Sequence, residues 1–274
     1  MNKSLIYIIL LFIILIIVIA LINVTTNNKS GLKMYFFNAG KADSCIITYE
    51  NNTIIIDTGE KSLYKYMENY LKNNNIKKID YLIITHFDKD HLGSASNILN
   101  NFEVDHIIQS NYPKDSKTYD NYINVIKKKK ISPITCRVPM TFNLNELSIS
   151  IIPPALEEYE TKPSNNSSLI TSITFKDTNY LFTGDIENDR IKEFVASNKT
   201  IYDFLKVPYH GHYQDNLKDL LDDVKAKYFV ITSSDEEKED DETINLINSS
   251  NIYLTRKGNI ILNSDGTSID IRYE

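Results

Sequence analysis

One pattern recurs along this chain and limits its fold more than any other. Runs of apolar, often β-branched residues end on a carboxylate or an imidazole. "TIIIDTG" (53–59) carries Asp57, "IDYLIIT" (79–85) opens onto "HFDKDH" (86–91), "YLFTGD" (180–185) ends at Asp185, and "FLKVP" (204–208) precedes His210. Such runs, bounded by Gly or Pro, read as strands, and those apolar on both faces belong to sheets covered on both sides. A charge placed where a buried strand ends costs several kcal/mol unless it pairs or meets a cation. A capping or surface role accounts for one such residue, and packing does not account for the series.

The remaining segments place these strand ends in an α/β (α+β) frame. "KMYFF" and "SCIITY" are expected as strands before Asp57, and residues 62–74 set Leu63, Tyr66, Met67, Tyr70 and Leu71 on one helical face. "HIIQS", a helix over 117–129, "ITCRV" and "LSISII" follow, and Pro153 and Pro154 then break the chain. A second series comes after: "SLITSITF", "YLFTGD", a helix over 187–197, "FLKVP", a helix over 215–223 and "KYFVIT". "IYLT", "NIILN" and "SIDIRY" close the chain as strands. Two similar halves of this kind predict two sheets packed face to face with helices outside. "KKKK" (127–130) reads as a solvated helix end, and the acidic run at 235–242 as a solvated loop and helix start.

Composition narrows the function classes. With 42% hydrophobic and 24% charged residues the chain is globular. A net charge of −6 gives no global field for nucleic acid, which argues against an electrostatic DNA-coating protein. It does not exclude a nuclease whose ions supply the local positive charge. Cys45 and Cys136 form no CxxC pattern, so a zinc–thiolate site is excluded. Each lies in an apolar segment and is expected in the core; a disulfide between them stays open for a domain outside the cell. His106, on an apolar strand, is expected to be a core histidine.

The first residues, "MNKSLIYIILLFIILIIVIALINV", are apolar from Leu5 to Ile22, about 27 Å of helix and close to a bilayer core. The run exceeds a signal-peptide core and no A-x-A-like site follows, so residues 1–24 are expected to be an uncleaved transmembrane anchor. Residues 25–31 then form a flexible linker, and 32–274 the soluble domain. Lys3 before the run and Lys29 and Lys33 after it nearly balance the positive-inside count. With its short leading tail, such an anchor is expected to place the domain on the extracytoplasmic side.

Within "HFDKDH", His86, Asp88, Asp90 and His91 can turn several ligating atoms toward one centre on a loop, whereas a regular helix would scatter them. With Asp185 and His210 they make a candidate metal site. The ordered set "NAGKADS" (38–44), "IDTG", "HFDKDH", "NNSS" (165–168), "TGD" and "YHG" resembles the metallo-β-lactamase superfamily, in particular the hydrolase domain of ComEC-type DNA-internalisation proteins. The resemblance spans about residues 34–272 and ends in "GNIILNSDG". It implies a four-layer αββα sandwich with a dinuclear site at one edge. His86 and Asp88 would hold one ion, Asp90, His91 and His210 the other, and Asp185 would bridge them. Asp43 and Asp57 would orient the histidines, and Asn165 or Asn166 would stand where a further histidine is usual.

Three departures from the family pattern mark this chain. Tyr209 replaces the first His of "HHG", Asn38 replaces the usual Asp, and Lys41 and Ala42 occupy the Gln-Gly places. The family chemistry implied is hydrolysis by two divalent ions, zinc or manganese, that share a hydroxide. Asp88 in place of an imidazole makes the first site harder and moves it toward manganese. Asp90 and Asp185 would then serve catalysis, with Tyr209 and His212 as candidate proton donors. A phosphodiesterase or nuclease acting on single-stranded DNA is the expected activity. A cell-wall choline-phosphate or teichoic-acid phosphodiesterase is the alternative, and a non-catalytic anchored metal-binding module is the reading from another class.

Overall fold

The structure, a computed structural model, describes residues 7, 9, 11–17 and 31–274. Tyr7, Ile9 and residues 11–17 are helical and exposed. The rest of the expected anchor and nearly all of the linker lie outside the described residues. Among the described residues no helix is long and apolar enough to cross a membrane, so the expected spanning helix finds no support there.

From residue 32 onward the chain builds two sheets. The first takes β1 (Leu32–Phe36), β2 (Ser44–Tyr49), β3 (Asn52–Thr58), β4 (Lys78–Ile84), β5 (Glu103–Gln109) and β6 (Ile134–Thr135). The second takes β7 (Met140–Leu144), β8 (Leu147–Ile152), β9 (Ile170–Phe175), β10 (Thr178–Phe182), β11 (Phe204–Lys206), β12 (Tyr228–Ile231) and β13 (Ile252–Leu254). β14 (Ile260–Ser264) and β15 (Ile269–Tyr273) return to the first sheet, whose order is β15-β14-β1-β2-β3-β4-β5-β6. The second sheet runs β13-β12-β11-β10-β9-β8-β7. Strands β3 to β6 are mutually parallel, as are β10 to β13, and the other pairings are antiparallel.

Strand alternation sorts the apolar residues into three cores. Met34, Phe36, Ile47 and Ile54 of the first sheet meet Ile149, Phe175, Phe182 and Phe204 of the second. Their sequence neighbours face outward and are covered by helices. Ile46, Ile55 and Leu82 pack under α1 (Tyr64–Asn73), α2 (Lys89–Leu92), α3 (Ala95–Asn101) and α4 (Lys117–Lys129). After the single turn α5 (Pro163–Asn166), Leu181, Leu205 and Ile231 pack under α6 (Asn188–Ser197), α7 (Leu217–Val224) and α8 (Asp241–Ile247). The result is the helix–sheet–sheet–helix sandwich implied by the resemblance. Each fully buried Leu, Ile or Phe contributes about 1.5–3 kcal/mol, so the cores hold both sheets rigid under the loops that carry the polar residues.

Helix α4 shows how local signals set its ends. Ser116 Oγ accepts from the Tyr119 N–H at 3.2 Å, Lys127 to Lys129 occupy the last turn, and Lys130 caps it in a left-handed conformation. The cations sit against the negative end of the helix, as expected for "KKKK".

Two expectations need correction. His106 is exposed, not a core residue: it shares the face of β5 that carries Ile108 but lies near the exposed start of the strand, where its ring stacks on Tyr81 at 4.9 Å. The strand read over "ITCRV" is only Ile134–Thr135. Cys45 and Cys136 are both buried and free.

Candidate metal centre

The parallel halves of the two sheets meet at one edge. Asp57 is the penultimate residue of β3 and Thr85 follows β4; Gly184 and Asp185 come just after β10, Lys206 ends β11 and Thr232 follows β12. Cross-sheet bonds fix the edge: Leu169 N–H donates to Thr85 O at 2.9 Å, and Ser110 Oγ donates to Ser167 O at 2.9 Å. Ligand loops beyond the carboxyl ends of parallel strands are the usual site position in α/β sheets.

Three imidazoles enter this edge in a common orientation. His91 Nδ1 lies 2.8 Å from Asp57 Oδ2, and His210 Nδ1 lies 3.0 Å from Thr232 O. His86 Nδ1 lies 3.2 Å from both Thr85 Oγ1 and Ser168 Oγ. Every Nδ1 is thus engaged behind its ring, which leaves Nε2 to face the centre. Asp185 Oδ2 stands 3.2 Å from His91 Nε2 and 3.1 Å from His210 Nε2. Asp90 Oδ2 lies 3.4 Å from His210 Nε2, and Asp88 Oδ1 lies 3.8 Å from His86 Nε2. Candidate ligand atoms of Asp43, His91, Asp185 and His210 all fall within 4.8 Å of one another.

The fit of this cluster to a cation rests on unsatisfied atoms. His86 Nε2, His91 Nε2, His210 Nε2 and Asp185 Oδ1 are buried and have no hydrogen-bond partner among the described residues. An unpaired buried polar atom costs about 1–3 kcal/mol, so four at one centre would be expensive unless an ion takes them. Imidazole and carboxylate donors suit divalent first-row metals. The residues present therefore fit a metal centre.

The backbone is strained where it delivers these groups. Tyr209 and His210 both adopt left-handed angles, with φ of 48° and 54°, and Gly211 follows at 81°. A Cβ on Gly211 would lie 2.8 Å from Ile231 Cγ2 and Glu239 Cβ, so this turn requires glycine. Asp57 is likewise left-handed at φ 56°, and its carboxylate accepts from the Thr85 N–H and hydroxyl at 2.8 and 2.7 Å. Such conformations persist where surrounding structure enforces them, commonly at functional sites.

Electrostatics divide the three histidines. Burial pulls His91 down, but Asp185, Asp57 and Asp43 outweigh it and hold its pKa well above the ordinary value. Burial also opposes the charge on His210, yet Asp185 and Asp90 raise it to about 9. His86 is lowered by its burial and by its neighbour His91. Asp185 is held well below the usual carboxylate range despite burial, by His210 and His91.

The other residues expected at the site are placed as follows. Asp43 sits behind the rings, 3.4 Å from His210 Nδ1, and accepts from the Thr232 hydroxyl and from Lys206 Nζ. Asn166 is buried and braces the backbone instead of facing the centre: its amide donates to Thr161 O at 2.9 Å and its Oδ1 accepts from the Glu187 N–H at 2.9 Å. Asn165 donates to Glu187 Oε1 at 2.7 Å and lines the cleft over the centre. Tyr209 also lines that cleft, its ring 5.6 Å from Lys41 Nζ. His212 does not line it and lies 3.5 Å from Asp240 Oδ1.

Sequence reasoning missed two lysines. Lys206 is fully buried, pairs with Asp43, donates to Gly184 O at 3.2 Å and lies 3.7 Å from Asp185 Oδ1. Burial opposes its charge, but Asp43 and Asp185 keep it protonated. A lysine inside the otherwise apolar "FLKVP" was the available signal. Lys114, in the loop after β5, donates to Asp88 Oδ1 at 2.7 Å, and no local pattern marks it.

A two-sheet sandwich with buried imidazoles and carboxylates converging at one edge defines a class of metal-binding hydrolase folds. A family model of the metallo-beta-lactamase superfamily matches residues 38–232, and the chain belongs to that superfamily, which is largely one of hydrolases and typically holds two metal ions. The chain is 23% identical over 217 residues to ComE operon protein 3 of Bacillus subtilis (strain 168), covering 71% of this chain. It spans only 27% of that relative's length. Its fold is similar to the crystal structure of the metallo-beta-lactamase fold protein YhfI from Bacillus subtilis. That match has a TM-score of 0.55 and 11% identity, and covers 82% of this chain and 96% of the other. The sequence resemblance and the family match agree.

Proposed function

We propose that this chain is a metal-dependent phosphodiesterase whose substrate is a polyanionic strand, single-stranded DNA in the first instance. The observation that carries this reading is the cleft of about 560 Å³ over the centre. Lys41, Lys114 and Lys162 line it with Tyr112 and Tyr209, and Asp88, Asp90 and Asp185 are also among its walls. Lysines gathered over a carboxylate-rich centre, on a chain of net charge −6, favour a substrate of repeated negative charge. The two tyrosines offer rings on which bases can stack. The same lysines disfavour a quaternary ammonium head group, which argues against choline phosphate.

His91, His210, Asp90 and Asp185 would hold one divalent ion, and His86, Asp88 and Asp185 a second. Bound ions would supply Lewis acidity and an acidified water at neutral pH. The protein's own contribution is positional. Asp57, Thr232 and Ser168 fix the imidazole tautomers, Lys41 and Lys162 hold phosphoryl oxygens, and Tyr209 stands in the cleft to protonate the departing oxygen. The apolar run Leu5–Ile22 supports an N-terminal membrane anchor, with the hydrolase domain on the extracytoplasmic side.

The test is a substrate panel on the full chain with Mn²⁺ or Zn²⁺: bis-p-nitrophenyl phosphate, single-stranded DNA and a choline phosphodiester. Turnover of the first two, lost in Asp185→Ala, is the expected result. Turnover of the choline ester without DNA cleavage would select a cell-wall substrate. No turnover, or turnover unchanged in Asp185→Ala, would overturn the enzyme reading.

A further inference from the structure

The two candidate ion positions are not equally available. On the His91–His210 side, the unpartnered Nε2 atoms face Asp185 and Asp90, whose carboxylates no ammonium among the described residues reaches closer than 3.7 Å, the separation of Lys206 Nζ from Asp185 Oδ1; Lys206 pairs instead with Asp43, behind the rings. On the other side, Asp88 Oδ1 is the carboxylate oxygen nearest His86 Nε2, at 3.8 Å. That same oxygen accepts from Lys114 Nζ at 2.7 Å and from the Ser164 hydroxyl. A carboxylate oxygen offers about two lone-pair positions, and these two donors use both. An ion that joins His86 to Asp88 through this nearer oxygen must therefore displace a donor, and it meets the like charge of the Lys114 ammonium there.

We propose that Lys114 is an internal cation that competes with the second metal ion for Asp88, so that the two ions load in a fixed order. This rests on the metal-centre reading above and deepens it. The first ion enters at Asp90, His91, Asp185 and His210. The second binds at His86 and Asp88 only as Lys114 withdraws. Withdrawal is feasible: Lys114 sits on a loop with its side chain one-third exposed, and Lys114 Nζ lies 3.3 Å from Ser164 Oγ at the cleft wall. The displaced ammonium remains in the cleft with Lys41 and Lys162, where a phosphoryl oxygen can take it up. Metal loading and substrate binding are coupled through one side chain.

The experiment counts ions instead of turnover. The full chain, stripped with chelator, is titrated with Mn²⁺, free ion is followed by electron paramagnetic resonance, and bound metal is counted by mass spectrometry. The wild type should bind one ion tightly and a second about tenfold or more weaker, since an adjacent like charge is worth at least that in a partly buried site. Lys114→Met should tighten the second ion by about tenfold and leave the first unchanged, while Lys114→Arg, which keeps the cation, should preserve the gap. Asp88→Asn should remove the second ion alone. Equal affinities in the wild type, an unaltered second affinity in Lys114→Met, or a second ion retained in Asp88→Asn would each overturn the proposal. If Lys114→Met tightens the second ion while no phosphodiester is cleaved, the substrate reading fails and the competition stands.

Discussion

The His91–His210 side and the His86–Asp88 side of the centre use the same residue types, yet they are built differently. On the first, each imidazole is backed by a strong acceptor, the Asp57 carboxylate for His91 and the Thr232 carbonyl for His210. Both rings are biased toward the charged form by surrounding carboxylates. On the second, His86 is backed by two hydroxyls and held toward the neutral form, and its nearest carboxylate is tied to a lysine. An imidazole's orientation and basicity are set by what stands behind it. On the proposed two-ion reading, the chain would present one prepared position and one contested position.

Asp185 belongs to both sides, so its loss is the severest test of the comparison. Asp185→Asn should remove both ions and lower kcat/KM by about a thousandfold or more, roughly 4 kcal/mol of transition-state stabilisation. Retention of one ion would show that the sides are independent. Next in size is Lys206→Met, which leaves Asp43 buried beside His210 without its counter-charge. Breaking such a pair costs about 3–5 kcal/mol, read as a lower melting temperature in chelated protein, with no comparable effect from Lys114→Met.

A pH series separates the sides without mutation. The folded pKa of His210, about 9, lies above the unfolded value of roughly 6.5, so its stabilising contribution is present below 6.5 and is lost as pH rises through 9. His86, lowered in the fold, is neutral in both states over most of that window and contributes little there. Chelated protein should lose about 3 kcal/mol through His210 alone between those pH values in denaturant melts, with His91 adding to the loss, and His210→Gln should make the curve shallower. Smaller still, Asp57→Asn should weaken the first ion by about 10–100-fold and spare the second. Ser168→Ala, the corresponding change behind His86, should weaken only the second ion, and by less than about tenfold. Ion-by-ion calorimetry distinguishes the last two.

Much of this site was legible because its residues stand where strands stop. Asp57, His86, His91, Asp185 and His210 each follow an apolar run, and burial of those runs forces the polar residue to the sheet edge. Asp43 and Asp57 lie behind the rings. What escaped notice depends on partners remote in sequence. Lys206 is buried because Asp43, far earlier in the chain, meets it, and Lys114 matters only because its loop reaches Asp88. Strand β7 also escaped, since "MTFNL" mixes Thr and Asn into an edge strand that half faces solvent. Helix α3 was missed because its four Asn and Ser side chains are weak helix formers, and it is held by burying Ala95, Ile98 and Leu99.

The centre joins residues from the first third of the chain to residues near its end, which gives it a timetable during synthesis. At roughly 5–20 residues per second, His210 leaves the ribosome on the order of ten seconds after His91. Through most of that interval the emerging chain carries "HFDKDH" without the Asp185 carboxylate, and through all of it without the strained turn at His210. Metal binding at this centre would thereby be a late event, confined to chains whose second sheet has closed on the first, and a prematurely terminated product would be poorly able to retain an ion.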